Sequence, residues 1–224
     1  MVISETFASI QGEGTLAGVP SFFIRTSGCN LRCAWCDTPY ASWRPEGVRR
    51  PVAQLLAEAR AAGLRHVVVT GGEPLLQREL GALTRGLADA GHHVTVETAG
   101  TLAPEFTCAL LSLSPKTANS DPQGRFRERH RALRGDLGPM RALLLRHPEH
   151  QVKFVVRDEG DMQEILELVE RLPAASDRVL LMPEGATAGE VAARQARVAL
   201  LCKRHGFRYS PRLQLELFGG GRGV

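Results

Sequence analysis

Several features that would place this chain in a special class are missing from its sequence. No run of about 18 apolar residues occurs, so we expect no membrane-spanning helix and no membrane partner. The N-terminus lacks a basic region followed by an apolar run, so a secretory signal is not expected. Hydrophobic residues make up 43% and charged residues 23%, which disfavours disordered and fibrous classes. These observations predict a globular protein of the cytoplasm.

Aromatic residues are also scarce, at 5% of the chain. The formal charge of +4 would suit a nucleic-acid partner. However, the arginines concentrate in residues 125–150, where acidic residues are mixed among them, and few aromatic side chains are present to stack on bases. The segment therefore predicts a solvated helical face of mixed charge, and no nucleic-acid partner is expected.

The length of 224 residues fits one domain with a substantial core. We predict a single domain over 1–224, with its core at about 5–210. The glycine-rich residues 219–224 are expected to form a mobile tail.

Short apolar runs that end in polar or glycine-rich turns alternate with helical patterns. Their β-branched, nearly continuous character is typical of strands covered on both faces, as in a parallel sheet. The predicted strands are 21–27, 66–72, 93–100, 110–116, 152–158 and 178–185. The predicted helices are 52–63, 77–91, 161–172 and 189–206. Roughly six βα units are too few for a closed eight-fold barrel, so we predict an α/β fold, a partial, splayed (β/α)6-type barrel.

Residues that could bind a ligand come at or directly after the ends of the predicted strands. They lie in the segments TGGEP (70–74), ETAG (97–100), SPK (114–116) and MPEG (182–185). Because ligands of α/β proteins bind at the carboxyl ends of parallel strands, these segments predict one common site.

Cysteines number only five, and the odd count argues against a disulfide framework. Cys108 and Cys202 stand alone and are predicted to be buried, whereas Cys29, Cys33 and Cys36 form a Cys-x3-Cys-x2-Cys triplet. No fourth cysteine is near, although a closed zinc site or a four-cysteine cluster needs a fourth ligand. The triplet therefore predicts a metal cluster that leaves one position open to a small molecule.

The triplet, followed by Gly71-Gly72-Glu73-Pro74 after a strand, resembles the radical S-adenosylmethionine superfamily. This resemblance implies that three cysteines bind three irons of a [4Fe–4S] cluster and that S-adenosylmethionine chelates the fourth iron. Glycines in the second motif would let backbone groups approach the methionine ammonium, and Glu73 would add a matching negative charge.

Further segments narrow the resemblance to the 7-carboxy-7-deazaguanine synthase family. They are ETFASIQGEG (5–14), SFFIRTSGCN (21–30), CAWCDT (33–38), TGGEPLLQ (70–77), ETAGT (97–101), LSPK (113–116), VKFVV (152–156) and MPEG (182–185). The QGEG and CDT segments discriminate best, because many radical enzymes share the triplet and few carry both of these.

The resemblance implies a small-molecule substrate, 6-carboxy-5,6,7,8-tetrahydropterin, and the cofactors [4Fe–4S], S-adenosylmethionine and Mg²⁺. An electron donor such as flavodoxin or ferredoxin would reduce the cluster. The 5′-deoxyadenosyl radical would then remove a hydrogen from C6, and ring contraction with loss of ammonia would give the product. No catalytic side chain beyond the cluster ligands is expected, and a homodimer is expected by family analogy.

The resemblance also implies roles for individual residues. Arg25 would clamp the substrate carboxylate, and Thr38 would ligate Mg²⁺. The other expected substrate contacts are Ile10, Gln11, Gly12 and Thr98. The expected contacts to S-adenosylmethionine are Trp35, Cys36, Asp37, Gly72, Glu73, Gly100, Ser114, Pro115 and Lys116.

Three points remain open from the sequence. Glu13 fits either an acceptor for the pterin or an ordinary turn carboxylate. The C-terminal stretch from 209 to 224 is not a clean match to the family form in which the chain terminus reaches the substrate. Two other classes also stay open: a glycyl-radical activating enzyme, which shares the triplet but acts on a protein, and a zinc-stabilised RNA-binding module.

Overall fold

The computed structural model describes residues 1–223. Nine strands form one sheet in the order β3-β1-β2-β4-β5-β6-β7-β8-β9. The strands are β1 Val2–Ile10, β2 Pro20–Thr26, β3 Val48–Arg49, β4 His66–Gly71, β5 His93–Thr98, β6 Leu110–Leu113, β7 His150–Val156, β8 Val179–Pro183 and β9 Arg208–Tyr209. The helices are α1 Val52–Ala61, α2 Leu80–Asp89, α3 Arg127–Gly135, α4 Gly138–Arg146, α5 Met162–Arg171, α6 Ala188–His205 and α7 Leu213–Phe218.

The sheet is parallel from β2 through β9 and antiparallel at its other edge. Strand β2 pairs in parallel with β4, and the parallel pairing continues to β9, while β1 pairs antiparallel with both β2 and β3. Strands β3 and β9 are the two ends of this order, so the sheet stays open. The predicted partial barrel is therefore confirmed, and helices α1, α2, α5 and α6 overlap the four predicted helices.

Alternation along the parallel strands separates a packed face from a polar face. Val67 and Val69 on β4 and Phe154 on β7 are fully buried in one hydrophobic cluster with the helices. The neighbours of these residues along each strand point the other way, and Thr70 and Lys153 among them line the opposite face. A charged side chain in the middle of an apolar strand thus faces the concave side of the sheet.

The longest helix, α6, is capped at both ends by residues that explain where it begins and ends. Thr187 accepts from the backbone N–H of Glu190 at 3.3 Å, and the Glu190 side chain returns to the Thr187 N–H at 3.1 Å. At the other end Gly206 adopts φ +71°, a conformation that glycine reaches without strain. Across residues 1–223, none of the helices combines the length and apolarity that a bilayer span requires.

The arginine-rich segment forms two helices, α3 and α4. The break falls at Asp136 and Leu137, and Pro139 follows in the first turn of α4, where a residue without an N–H is tolerated. The predicted mixed-charge face is present on α3, where Arg127, Glu128 and Arg129 are exposed.

Strand β1 and the C-terminal elements had no counterpart in the sequence prediction. Helix α7 ends at Gly219, which adopts φ +67°. In the predicted tail the Arg222 guanidinium lies 3.6 Å from the centroid of the Tyr40 ring and donates to Glu46 at 2.8 Å. Val224 lies outside the described residues, and the mobility of the tail stays a prediction.

Candidate active site

A cavity of about 260 Å³ opens on the polar face of the sheet, at the carboxyl ends of the parallel strands. Its wall contains the cysteine loop, the turn after β1 and residues from β4 to β8. The C-terminal segment closes one side, because Arg212, Gln214 and Gly220 also line the cavity. This is the edge of the sheet at which the sequence predicted a site.

The cysteine loop leaves β2 and turns at Gly28, which adopts φ +97°. Cys29, Cys33 and Cys36 all line the cavity and are free thiols. The loop is held by its backbone, since Gly28 N–H donates to Ala41 at 2.9 Å and Cys36 N–H to Cys33 at 3.3 Å. Three thiols are thereby presented to one cavity by a stretch of eight residues.

These thiols suit a bound iron cluster. Burial raises the pKa of Cys29 to about 12 and that of Cys33 to about 11, so the thiolates need a cation to form. Within residues 1–223, no three His, Cys, Asp or Glu side chains are grouped to hold a single metal ion. A four-iron cluster does not require such a group, because each thiolate ligates a different iron.

The Gly71-Gly72-Glu73-Pro74 turn is fastened to the cysteine loop. Gly72 N–H donates to Thr26 at 3.1 Å, and Glu73 N–H donates to the Gly28 carbonyl at 2.9 Å. A Cβ at Gly72 would overlap the carbonyl oxygens of Gly28 and Ala41. Glycine is therefore required here for the two backbones to approach each other.

Glu73 lies behind the cavity wall, and its expected contact with the methionine ammonium stays a prediction. Glu73 is 0% exposed and does not line the cavity. Its carboxylate accepts from Leu75 N–H at 3.1 Å, Thr98 Oγ1 at 2.6 Å and Ala99 N–H at 2.9 Å. Burial raises the pKa of Glu73, while these hydrogen bonds oppose the rise. Glu73 supports the wall by joining two turns.

Polar side chains form a second wall around Glu97 on β5. Gln11 Nε2 donates to Glu97 Oε1 at 3.1 Å, and Thr70 Oγ1 donates to Glu97 Oε2 at 2.9 Å. All three residues line the cavity. Both carboxylate oxygens of Glu97 are thus held in place. The wall presents these oxygens and the Gln11 amide to a polar heterocycle bound in the cavity.

Arg25 lies on β2 at the margin of this wall. Its Nε donates to Glu5 Oε1 at 2.7 Å, and its guanidinium carbon lies 5.5 Å from the centroid of the Phe7 ring. Tyr40 donates to the same Glu5 oxygen at 2.8 Å. In the described part of the chain the terminal nitrogens of Arg25 have no hydrogen-bond partner. They remain free for a bidentate contact with a carboxylate.

A buried charge network joins the turn after β1 to the C-terminus. The Glu13 carboxylate is held by Lys153 Nζ, by Arg212 Nε at 3.3 Å and by Gln214 Nε2 at 2.7 Å. Arg212 also donates to Asp37 in the cysteine loop. Burial opposes the charge on Glu13, but Lys153 and Arg212 outweigh it and lower its pKa to about 2.

The residues expected near the adenosyl group and Mg²⁺ lie around the third cysteine. The Lys116 ammonium lies 5.5 Å from the centroid of the Trp35 ring and donates to Ser114 Oγ at 2.8 Å. Thr38 Oγ1 lies 3.8 Å from Cys36 Sγ. One hydroxyl in this position fits a Mg²⁺ ion that takes its other ligands from substrate and water.

Most of the predicted site residues meet in this one cavity. Those that line it are Ile10, Gln11, Gly12, Arg25, Cys29, Cys33, Trp35, Cys36, Asp37, Thr38, Gly72, Thr98, Ser114 and Lys116. Glu73, Gly100 and Pro115 do not line it. A Cβ at Gly100, which has φ +71°, would meet Leu113 at 2.5 Å, so this glycine serves the packing of the turn.

Sequence reasoning assigned no individual site role to four lining residues: Glu97 of the ETAG segment, Lys153, and Arg212 and Gln214 of the C-terminal stretch left open. Glu97 and Lys153 had a sequence signal, since each is a charged residue within an otherwise apolar strand. Arg212 and Gln214 had none, because their contacts to Glu13 span 199 and 201 residues of chain.

The fold and site define a class of protein. Residues 23–184 match the model of the Radical SAM superfamily. In structure the chain is similar to QueE from Escherichia coli, with a TM-score of 0.71, 27% identity, and coverage of 93% of this chain and 92% of that one.

Sequence relatives narrow the class further. The chain is 45% identical to a protein of Rhodopirellula baltica named 7-carboxy-7-deazaguanine synthase, over 100% of this chain and 89% of the relative. A protein of the same name from Halobacterium salinarum is 44% identical, over 96% of this chain and 90% of the relative. This chain belongs to the 7-carboxy-7-deazaguanine synthase family of radical S-adenosylmethionine enzymes.

Proposed function

We propose that the chain converts 6-carboxy-5,6,7,8-tetrahydropterin into 7-carboxy-7-deazaguanine with loss of ammonia, in 7-deazapurine biosynthesis. It acts as a carbon–nitrogen lyase with a [4Fe–4S] cluster, S-adenosylmethionine and Mg²⁺. The observation that carries this proposal is the meeting of three free thiols and the polar Gln11–Glu97 wall in one cavity, with Arg25 at its margin. The name shared by relatives at 44% and 45% identity supports it.

The cysteine loop would hold the cluster, which together with S-adenosylmethionine supplies a 5′-deoxyadenosyl radical. Gly72 lines the cavity beside the cysteine loop, so its backbone could meet the methionine group there. Trp35, Ser114 and Lys116 offer a ring face, a hydroxyl and an ammonium to the adenosyl part. Their work is to orient the cofactor and keep water from the reacting centre.

Arg25 would bind the substrate carboxylate through its two terminal nitrogens, in the geometry that a guanidinium favours. Gln11 and Glu97 would meet the polar edge of the pterin. Gln214 also lines the cavity, and its Oε1 atom is enclosed beside Gly12 without a hydrogen-bond donor within residues 1–223. Glu13 holds Gln214 from the other side of the amide.

Thr38 would contribute one ligand to Mg²⁺, and the substrate carboxylate would contribute another. The ion would then fix the carboxylate relative to the cysteine loop. Family analogy alone supports a homodimer, a cytoplasmic location and a flavodoxin or ferredoxin as electron donor.

Anaerobic reconstitution with iron and sulfide tests the proposal. We expect a brown protein that forms 5′-deoxyadenosine under dithionite and releases 7-carboxy-7-deazaguanine when the carboxytetrahydropterin is added. Cys33→Ala should lose both products. Cys202→Ala is the matched control and should retain them, because Cys202 is 5% exposed on α6, donates to the Arg208 carbonyl of β9 and does not line the cavity.

The outcomes separate the competing classes. Cleavage of S-adenosylmethionine without any pterin product would refute the substrate assignment and favour a glycyl-radical activating enzyme. A colourless zinc protein would refute the enzyme assignment altogether.

A further inference from the structure

A patch of arginines lies on the outer side of the cysteine loop. We define the arginine patch as Arg32, Arg125 and Arg129. The guanidinium carbons of Arg32 and Arg125 lie 5.5 Å and 4.8 Å from the centroid of the Phe126 ring. Arg129 lines a shallow groove together with Arg32 and Phe126. Arg125 and Arg129 are exposed and Arg32 is partly buried, so two cations lie against one aromatic ring and a third lines the same groove.

The arginine patch is fixed directly to the cysteine loop. Arg32 lies within the loop and donates to the Cys29 carbonyl at 2.6 Å. Phe126 packs edge-on against Trp43 with ring centroids 5.8 Å apart, and Trp43 Nε1 donates to the Cys33 carbonyl at 3.0 Å. A protein that docks on the arginine patch therefore lies against the backbone of two predicted cluster ligands.

The charge of the arginine patch is not neutralised within the chain. Among the described residues, none of its three guanidinium groups forms an ion pair with a carboxylate. The neighbouring Arg131 and Arg134 differ, because both pair with Asp121, at 2.6 Å and 2.7 Å. Three uncompensated charges at one place attract a partner with a carboxylate-rich surface.

From these contacts we propose that the arginine patch is the docking surface for the acidic face of a small one-electron carrier protein, of the flavin or iron–sulfur type. The proposal rests on the proposed function, which requires an external reductant. In the transfer the carrier is oxidised by one electron and the cluster is reduced by one, with no bond formed and no proton moved. A small, charged, salt-sensitive contact is typical of such transient redox encounters.

An RNA partner fits the same surface less well. Single-stranded nucleic acid binds by stacking bases on exposed aromatic rings. The Phe126 ring already packs against Trp43 and the guanidinium groups of Arg32 and Arg125. The arginine patch therefore offers charge without an open stacking surface.

Binding to the reconstituted enzyme tests this proposal. The probes are a fluorescently labelled flavodoxin with carboxylates around its flavin and a plant-type [2Fe–2S] ferredoxin, measured by anisotropy at low and high ionic strength. For at least one carrier, we expect Arg125→Glu/Arg129→Glu to weaken binding roughly tenfold or more at low salt, and the difference to shrink as salt rises. The rate of 5′-deoxyadenosine formation supported by that carrier should fall in parallel, while the dithionite-supported rate should stay within about twofold of wild type.

The matched control is Arg85→Glu/Arg197→Glu, which makes the same charge change on exposed positions of α2 and α6. It should leave carrier binding within about twofold of wild type. Equal carrier affinity in the Arg125/Arg129 variant and the wild type, or an equal loss in the control, would overturn the proposal. Tight binding of a single-stranded RNA that depends on Arg125 and Arg129, without carrier binding, would also overturn it. Failure of the wild type with dithionite would instead refute the proposed function.

Discussion

The charge network around Lys153 gives the sharpest prediction about how the cavity is held together. Lys153 is 5% exposed and pairs with Glu13, so Lys153→Met leaves a buried carboxylate without its main partner. Breaking a buried ion pair by removing one partner costs about 3–5 kcal/mol. Arg212 and Gln214 still hold Glu13, so we expect the lower end, about 3 kcal/mol of unfolding free energy.

Urea denaturation followed by circular dichroism, under anaerobic conditions at pH 7.5, measures this loss. The matched variants are Glu13→Gln and Glu13→Gln/Lys153→Met. Because the double variant contains no unpaired charge at this contact, its loss should be smaller than the sum of the two single losses by about 1.5 kcal/mol or more. A Lys153→Met loss below about 0.5 kcal/mol, or additive losses, would refute the reasoning.

The same network predicts a pH dependence. The pKa of Glu13 is lowered from 4.5 to about 2, so its stabilising contribution is present above pH 4.5 and is lost as pH falls through about 2. In the metal-free chain, the stability advantage of wild type over Glu13→Gln should therefore shrink by roughly 2–3 kcal/mol between pH 4.5 and pH 2. A constant difference across this window would contradict the assignment.

Two further variants probe the turns behind the cavity. Gly72→Ala should lower the iron bound per chain after reconstitution, because the new Cβ would overlap the carbonyl oxygens of Gly28 and Ala41. The control Gly189→Ala should bind iron like wild type, because a Cβ there meets no atom within 4 Å. Thr98→Val should lower the unfolding free energy by about 1–3 kcal/mol, because it removes a donor to the buried Glu73 and an acceptor for Gly100 N–H. Unfolding free energy equal to that of wild type would refute the support role of Glu73.

The parallel strands and the cysteine loop could be predicted because their signals are local. Apolar runs that end in glycine-rich turns indicate buried strands, and Cys29, Cys33 and Cys36 lie within eight residues of one another. Strand β1 was missed because its alternation of polar and apolar residues is weak, and because antiparallel pairing with β2 is decided by the partner strand.

Glu73 and Lys153 show where sequence reasoning fails at the site. Both are charged residues in motifs that the sequence singled out, yet their roles depend on partners 25 and 140 residues away. Glu73 was expected to meet a ligand, and nothing in the sequence indicates that two turns enclose its carboxylate. Lys153 carried no expected role and lines the cavity. Burial and long-range pairing decide both outcomes, and neither can be derived from spacing along the chain.

The pairing of charges also indicates which cation receives the substrate carboxylate. Lys153 and Arg212 are both bonded to Glu13, and Arg212 is bonded to Asp37 as well, so two positive charges face two negative ones. A carboxylate placed there would compete with existing ion pairs in a buried setting. Arg25 keeps its terminal nitrogens free of partners within the described chain, because its hydrogen bond to Glu5 uses Nε alone. The substrate carboxylate should therefore bind to Arg25. Glu13→Gln removes the carboxylate that pairs with Lys153 and Arg212, so these cations should compete with Arg25 for the substrate carboxylate. We expect this variant to raise KM for the pterin acid more than it lowers kcat.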